Sequence, residues 1–256
     1  MIIIDSEKCI GCGKCVDDCV NNYLRIDEDE NGHKHSETVK KGNCIECGHC
    51  MAICPVAAIT NDKTIGVPED DDLLNLMGCK RTVRKYVKDA KISQGDLDRI
   101  VLAGQTAPTN RNRKTTRIIF VKEKLPTVYN TALDYLVEKV QNTGTINPLY
   151  VPTMRMNENR DEILWNAEYL VAIAGLPQNT VDAAISAERM QLEAEKLGYG
   201  SAYRGDMTDA INNVADLRTI FNLRSNEEIL ISFTLGVPAV QYNRPAVKQN
   251  RKILHI

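Results

Sequence analysis

The chain has 256 residues, enough for a small module plus one ordinary domain, and its formal net charge of −2 excludes a global basic field for holding nucleic acid or an anionic membrane. No run of roughly 18 uninterrupted apolar residues occurs, which argues against a transmembrane helix. The first residues, Met1 to Asp5, lack the basic start and the apolar segment of a signal peptide.

Cysteines dominate the N-terminal part of the chain. Eight of the nine fall into two copies of one spacing, C-x-x-C-x-x-C-x-x-x-C, which begin at Cys9 and at Cys44, an offset of 35 residues. Three thiolates so close together crowd around one compact ligand, and the fourth is directed elsewhere. We therefore favour iron-sulfur clusters over zinc, which usually takes pairs of cysteines from separated knuckles, and over disulfides, which need an oxidising compartment.

This arrangement resembles the bacterial dicluster ferredoxins over residues 1–65. In those proteins the fourth cysteine of each run ligates the cluster of the other run. The resemblance thus implies two [4Fe-4S] clusters, one held by Cys9, Cys12, Cys15 and Cys54 and the other by Cys44, Cys47, Cys50 and Cys19. Only the second run ends in the expected Cys-Pro pair, and we expect His49, inside that run, at the surface. Reduced clusters and the missing export signal predict a cytoplasmic protein of an anaerobic or microaerobic host.

Beyond the cysteines, helical and strand patterns alternate. Residues 66–72 are acidic and turn-rich and are interpreted as a linker between a module at 1–65 and a domain at 73–256. We predict helices from about Leu73, from the N-cap Ser93, through 128–140, over 181–197 and from 208. We predict strands at 117–121, 169–174 and 229–236. These elements predict an α+β domain with a central sheet packed between helices.

Four segments of this domain resemble, in order, motifs of the FMN-dependent nitroreductase family. They are residues 80–86 (KRTVRKY), 107–112 (APTNRN), 198–205 (GYGSAYRG) and 235–238 (LGVP), and the resemblance covers nearly all of 73–256. It implies a mainly antiparallel central sheet flanked by helices. It also implies a homodimer with the flavin at the subunit interface.

The resemblance assigns residues to FMN. A flavin phosphate is a dianion and is stabilised by cationic hydrogen-bond donors. The resemblance implies that Lys80, Arg81, Thr82 and Arg84 bind it, with Lys248 and Arg251 as C-terminal candidates. Short amide and hydroxyl groups suit the edge of the flavin ring, and by resemblance these are Pro108, Thr109, Asn110 and Asn112. Tyr203, Arg204 and Gly205 would line the ring or its ribityl chain.

The second motif departs from the family at its end. The family commonly continues Asn-x-Gln-Pro-Trp, whereas this chain reads Asn-Arg-Lys-Thr-Thr from Asn112, which leaves Arg111, Arg113 and Lys114 clustered. The cluster is either a solvent-exposed basic turn or a basic substrate pocket or docking face for the acidic linker. Cys79, outside both runs, is expected to be a buried small apolar residue; an exposed thiol beside Lys80 would have a lowered pKa.

Together these features predict an oxidoreductase that passes electrons from a low-potential donor through two [4Fe-4S] clusters to FMN and on to an organic acceptor. The acceptor would be a nitroaromatic, a quinone or an activated double bond, and flavin N5 rather than a catalytic side chain would carry the chemistry. The donor would be a ferredoxin-like protein or NAD(P)H, although no Gly-rich dinucleotide fingerprint is present. The alternatives are an electron-transfer adaptor whose flavin serves a protein partner and a redox sensor.

Overall fold

A computed structural model describes residues 2–39, 44–61, 71–143, 163–245 and 252–255. The chain divides into two compact units, one formed by Met1–Arg81 with Val240–Ile256 and the other by Thr82–Ala239. This division groups the end of the chain with its beginning, whereas the sequence analysis assigned 73–256 to the second domain. The predicted domain boundaries stay a prediction, and most of the predicted linker lies outside the described residues.

The first unit consists of two small antiparallel sheets and short helices. β1 (Ile2–Ile4) pairs with β4 (Ile59–Asn61), and β2 (Leu24–Glu28) pairs with β3 (Lys34–Thr38). The helices are α1 (Lys14–Asp17), α2 (His49–Ile53) and α3 (Asp72–Cys79). Asp71 caps α3, because its side chain accepts a hydrogen bond from the Leu74 amide at 2.8 Å, so the helix begins one residue before the predicted start.

The two cysteine runs fold alike. Gly13 and Gly48 precede α1 and α2, and both have a left-handed φ of 73°. Gly11 and its counterpart Glu46 are also left-handed, with φ of 63° and 51°. A Cβ atom on Gly11 would lie 2.6 Å from the carbonyl oxygen of Lys34, so no larger residue fits there without movement. The internal repeat seen in the sequence is therefore a repeat of backbone conformation as well.

The second unit is built on a four-stranded sheet in the order β5-β6-β8-β7, with every neighbouring pair antiparallel. Its strands are β5 (Arg117–Val121), β6 (Tyr169–Gly175), β7 (Gly200–Tyr203) and β8 (Glu228–Gly236). The helices among its described residues are α4 (Gln94–Gln105), α5 (Leu125–Thr143), α6 (Thr180–Lys196), α7 (Gly205–Asn213) and α8 (Ala215–Ile220). The predicted helix-flanked, mainly antiparallel sheet is confirmed.

Both faces of this sheet are buried. Leu170 and Ala172 of β6 pack with α5, α7 and α8, while Val171 and Ile173 of the same strand pack with α4 and α6. A strand covered on both faces has no polar side, which explains why β6 reads as a continuous apolar run. Among the described residues, no helix is both long and apolar enough to cross a membrane.

Two features of the second unit differ from the sequence analysis. The helix predicted from residue 208 begins at Gly205 and is divided at Val214, whose extended backbone separates α7 from α8. β7 was assigned to a motif but not to a strand, because its four residues carry no apolar alternation. The start of α4 was correct, since Ser93 accepts a hydrogen bond from the Asp96 amide at 3.1 Å.

Candidate cluster and cofactor sites

Four cysteines drawn from both runs line one cavity in the first unit. They are Cys9, Cys12 and Cys15 from the first run and Cys54 from the second. Cys12 is exposed and the other three are buried, and all four thiols are free. This is the set that the ferredoxin resemblance assigns to one cluster. The ligand assignment stays a prediction, and the shared cavity is the structural observation that supports it.

A single metal ion would require its sulfur ligands to converge on one point. Around one zinc ion, four sulfurs at about 2.3 Å from the metal would lie within about 4 Å of one another. Within the described residues, no three cysteine, histidine, aspartate or glutamate side chains form such a single-ion group. The preference for an iron-sulfur cluster over a single ion rests on the cysteine spacing in the sequence and on the ferredoxin resemblance.

The electrostatics of the cavity call for a cationic core. Burial raises the pKa of the Cys15 thiol, a hydrogen bond to Ser36 lowers it, and the neighbouring thiols of Cys9, Cys12 and Cys54 raise it further. A thiolate at Cys15 is therefore stabilised by a positive charge placed beside it. An iron-sulfur core supplies that charge, so the residues present fit the group.

Hydrogen bonds to sulfur surround this set. The amide of Ser36 donates to the Cys9 sulfur and the amide of Ala58 donates to the Cys54 sulfur, both at 3.3 Å. The Cys15 thiol lies 3.3 Å from the Ser36 hydroxyl oxygen. Such bonds tune the reduction potential of a cluster. Sequence reasoning missed Ser36, because nothing in the polar strand β3 signals that this side chain is buried.

Two members of the second predicted set, Cys44 and Cys47, are close enough to Cys50 to raise the pKa of its thiol. Burial raises the pKa of the Cys50 thiol to about 12, and the neighbouring Cys47, Cys15 and Cys44 contribute to the rise. Cys15 belongs to the first predicted set, so the two sets adjoin. Cys19, the predicted fourth ligand, follows α1 and accepts a hydrogen bond from the Tyr23 amide at 3.3 Å. Its membership in the second set stays a prediction.

In the second unit, the first and third flavin motifs meet at the sheet edge. Thr82 forms a parallel bridge with Ser201 of β7, and the Val83 amide donates to the Ser201 carbonyl at 2.9 Å. A Cβ atom on Gly200 would lie 2.7 Å from a methyl carbon of Val83, so glycine permits this approach. Two segments separated by more than a hundred residues are thereby brought side by side.

Trp165 links arginines of the same two motifs. The guanidinium carbon of Arg204 lies 4.3 Å from the centroid of the Trp165 ring, and that of Arg84 lies 6.0 Å from it. Arg204 is buried and also binds the carboxylate of Asp206 through two of its nitrogens. The sequence alone favours packing or an interface over a flavin stack for Trp165, and this interpretation stays a prediction.

Helix α6 anchors the second and third motifs. The Asn110 amide donates to Asp182 of this helix at 3.4 Å, and the Tyr203 hydroxyl donates to Glu188 of the same helix at 3.0 Å. Burial raises the pKa of Tyr203, and the charge of Glu188 adds to the rise, so the phenol stays protonated. The second motif is further closed by the Lys114 amide, which donates to the Thr109 hydroxyl at 3.0 Å.

The remaining assigned residues are placed as follows. In the second unit, Pro108 and Asn112 are exposed, Arg111, Arg113 and Lys114 are exposed, and Gly205 begins α7 with open space at its Cβ position. In the first unit, Arg81 is buried and donates to the Lys80 carbonyl at 2.7 Å. Lys248 and Arg251 lie outside the described residues. Within each unit, the hydroxyl, amide and guanidinium donors fit the needs of FMN; their role as ligands stays a prediction.

Cys79 differs from its expected environment. The sequence analysis favoured a buried small apolar residue, whereas the side chain is half-buried and its thiol donates to the side-chain amide oxygen of Asn75 at 3.4 Å. The short helix α3 leaves this side only partly covered. The exposed basic residues Arg111, Arg113 and Lys114 agree with a basic turn and leave both of its interpretations open.

Comparison with known proteins identifies a family for each of the two parts of the chain. The family model described as "Nitroreductase family" matches residues 80–237, and the model described as "4Fe-4S dicluster domain" matches residues 8–58. An NADPH-dependent oxidoreductase of Staphylococcus saprophyticus is 28% identical over 173 residues, which cover 66% of this chain and 65% of that relative. An uncharacterized ferredoxin of Methanocaldococcus jannaschii is 45% identical over 58 residues, 23% of this chain and 73% of that protein.

Solved structures share the fold of the larger unit. A nitroreductase with bound FMN from Desulfitobacterium hafniense has a TM-score of 0.58 at 19% identity, covering 71% of this chain and 96% of that one. A nitroreductase with bound FMN from Bacteroides fragilis has a TM-score of 0.51 at 22% identity, covering 66% and 89%. At such identities the likeness concerns the fold alone.

Proposed function

The chain belongs to the nitroreductase family, and we propose that it is an FMN-dependent oxidoreductase fed by its own ferredoxin-like module. Electrons would pass from a low-potential donor through two [4Fe-4S] clusters to FMN and on to an organic acceptor. The acceptor would be a nitroaromatic, a quinone or an activated double bond. These accept electrons in pairs, whereas clusters deliver them singly, and bound FMN supplies the conversion between the two.

One observation carries the proposal: cysteines of both runs line a single cavity in a chain whose remainder has the nitroreductase fold. Delivery of electrons from the clusters to the flavin would explain why both modules occur in one chain. Fusion makes the delivery intramolecular, so that it does not depend on collision with a dilute carrier.

The residues of the second unit would hold and tune the flavin. Thr82 and Arg84 lie where the first motif bridges to β7, which supports a role for both at the phosphate. Lys80 and Arg81 are proposed as phosphate ligands from the family resemblance alone. Thr109, Asn110 and Asn112, with Pro108, would contact the ring edge. Arg204, fixed by Trp165 and Asp206, would stabilise negative charge near the ring, and Tyr203 and Gly205 would line it. Lys248 and Arg251 are further candidates for the phosphate.

The electron donor and the assembly state belong to the same proposal. The relative from Staphylococcus saprophyticus is named for NADPH, which makes NADPH the first donor to compare with a reduced ferredoxin-like protein. The family resemblance supports a homodimer, and iron-sulfur clusters held by reduced thiolates favour a reducing compartment, the cytoplasm.

Anaerobic purification followed by quantitation of iron, sulfide and FMN tests the cofactors. Eight irons and one FMN per chain are expected if both clusters and the flavin are present. Dithionite-reduced protein should then be oxidised rapidly by at least one quinone or nitroaromatic in a stopped-flow panel. Protein that lacks iron and flavin, or that is oxidised only by a protein partner, would refute the proposed enzyme activity.

A further inference from the structure

The segment Val240–Arg244 is part of the cluster-binding unit, although it follows the second cysteine run by more than 180 residues. The Asn243 amide donates to the Ala52 carbonyl at 2.8 Å, and the Asn243 side chain donates to the Ile53 carbonyl at 3.1 Å. Both acceptors lie in α2, the short helix between Gly48 and Cys54. The segment therefore binds the backbone that presents the last cysteines of the second run.

Arg244 binds the same turn at its end. One terminal nitrogen of its guanidinium donates to the Met51 carbonyl at 2.7 Å and to the Cys54 carbonyl at 2.5 Å. The last carbonyls of a helix have no partner within the helix, and a cation is favoured beside them. Arg244 thus fixes the turn from which Cys54 enters the first cavity.

Tyr242 holds the other side of α2. Its ring packs edge-on against His49 with centroids 5.6 Å apart, and its hydroxyl donates to Asp18 at 3.3 Å. Val240 and Tyr242 also pack against the core of the first unit. His49 is 8% exposed, so the expectation that it lies at the surface was wrong: a distant part of the chain covers it.

We propose that residues 240–244, here called the C-terminal brace, complete the ferredoxin module, and that Arg244 is a positioning residue for the cluster ligated by Cys54. The proposal rests on the proposed function, because it requires that clusters are bound. A fixed guanidinium charge beside a ligand of the cluster favours the reduced state, which carries one more negative charge. Removing that charge should lower the reduction potential, and releasing the Cys54 turn should speed the loss of iron.

The test compares Arg244→Met with Arg244→Lys in the full-length, cluster-loaded protein. Arg218→Met is the matched control, because Arg218 also donates to backbone carbonyls, those of Arg224 and Glu227, but in the second unit. The readouts are the EPR-monitored reduction potential of the clusters and the anaerobic rate of iron release to a chelator. FMN content is measured in parallel.

Arg244→Met should shift the reduction equilibrium of one cluster at least threefold toward the oxidised form, which is about 28 mV for a one-electron couple. It should also lose iron about tenfold faster, as expected when a residue that orients a ligand is removed. Arg244→Lys keeps the charge and should restore most of the potential, and Arg218→Met should resemble the wild type in both cluster readouts.

Unchanged potential and iron release in Arg244→Met would overturn the brace proposal while leaving the proposed function intact. Equal effects of Arg244→Met and Arg218→Met would also overturn it, because the change would then reflect general destabilisation. Wild-type protein without clusters would refute the proposed function, and the brace proposal with it.

Discussion

Substitution of Gly200 by alanine tests the contact that brings the first and third flavin motifs together. A Cβ atom at this position would lie 2.7, 2.8 and 2.9 Å from the three side-chain carbons of Val83, which is itself buried. Overpacking of a filled site costs about 1–3 kcal/mol. Because three carbons are affected at once, we expect a loss of about 2 kcal/mol in the free energy of unfolding of the second unit.

A double-mutant cycle separates this clash from other effects. Val83→Ala alone removes two buried methyl groups and should cost about 1.6 kcal/mol at about 0.8 kcal/mol for each. In the double variant the space left by Val83 accepts the new methyl group, so the combined loss should be smaller than the sum by at least about 1 kcal/mol. Gly95→Ala is the control, because its Cβ would meet nothing within 4 Å and the first turn of α4 should keep its stability.

Urea unfolding followed by tryptophan fluorescence is the assay. Trp165 is the chain's single tryptophan and belongs to the second unit, so its emission reports on that unit. A loss of about 2 kcal/mol lowers the urea midpoint by about 1 M at a slope of about 2 kcal/mol per M. The affinity for FMN should fall together with the urea midpoint in Gly200→Ala, and the affinity should recover in the double variant. Strict additivity of the two substitutions, or a midpoint unchanged by Gly200→Ala, would refute the packing argument.

Three further predictions concern the cofactors and the pH dependence. Cys54→Ala should lose about four of eight irons, because a cubane missing one ligand is retained poorly, whereas Cys79→Ala should keep them all; equal iron contents would contradict the cross-ligation. Titration of the flavin-free protein with FMN should quench Trp165 fluorescence, and Trp165→Leu should bind FMN at least several-fold more weakly. The hydrogen bond from Arg117 lowers the pKa of Glu227, so this pair stabilises the fold above about pH 4.5 and the contribution is lost as the pH falls through the lowered pKa. Glu227→Gln should therefore be less stable at pH 7 and less sensitive to acid, as measured by urea midpoints between pH 3 and 7.

The sequence predicted the helices and strands that are specified by residues close together in the chain. The apolar run of β6 and the N-cap at Ser93 carry their own signals, and the structure confirms both elements. β7 has no such signal in its sequence. Its first residue, Gly200, lies close to Val83, and the strand is recognised only by its pairing with β8. The ferredoxin resemblance implied a set of four cysteines that line one cavity in the structure. Ser36 binds two sulfurs of that set, yet it lies in a strand of ordinary polar composition.

Trp165 and His49 illustrate why sites are harder to predict than elements. Trp165 contacts Arg204 from a segment outside the helices and strands, with left-handed backbone at residues 165 and 166. His49 is buried by Tyr242, a residue almost two hundred positions away. Both contacts depend on the folded chain as a whole, and neither periodicity nor spacing records them.

The order of the units along the chain has a physical consequence for the ferredoxin module. Residues 82–239 stand in sequence between the cysteine runs and the C-terminal brace, so the chain leaves the first unit and returns to it. Bringing residues 240–244 back to the first unit closes a connection of more than 150 residues, and the entropic cost of closing a loop grows only slowly with its length. Because most of the intervening residues are ordered in the second unit, the entropy lost on closure is smaller than for a flexible chain of that length. A chain cut after residue 65 loses the hydrogen bonds of Asn243 and Arg244 to α2, together with the apolar cover that Tyr242 gives to His49. Small modules have little core to spare, so the brace makes retention of the clusters depend on correct folding of the flavin domain that would receive their electrons.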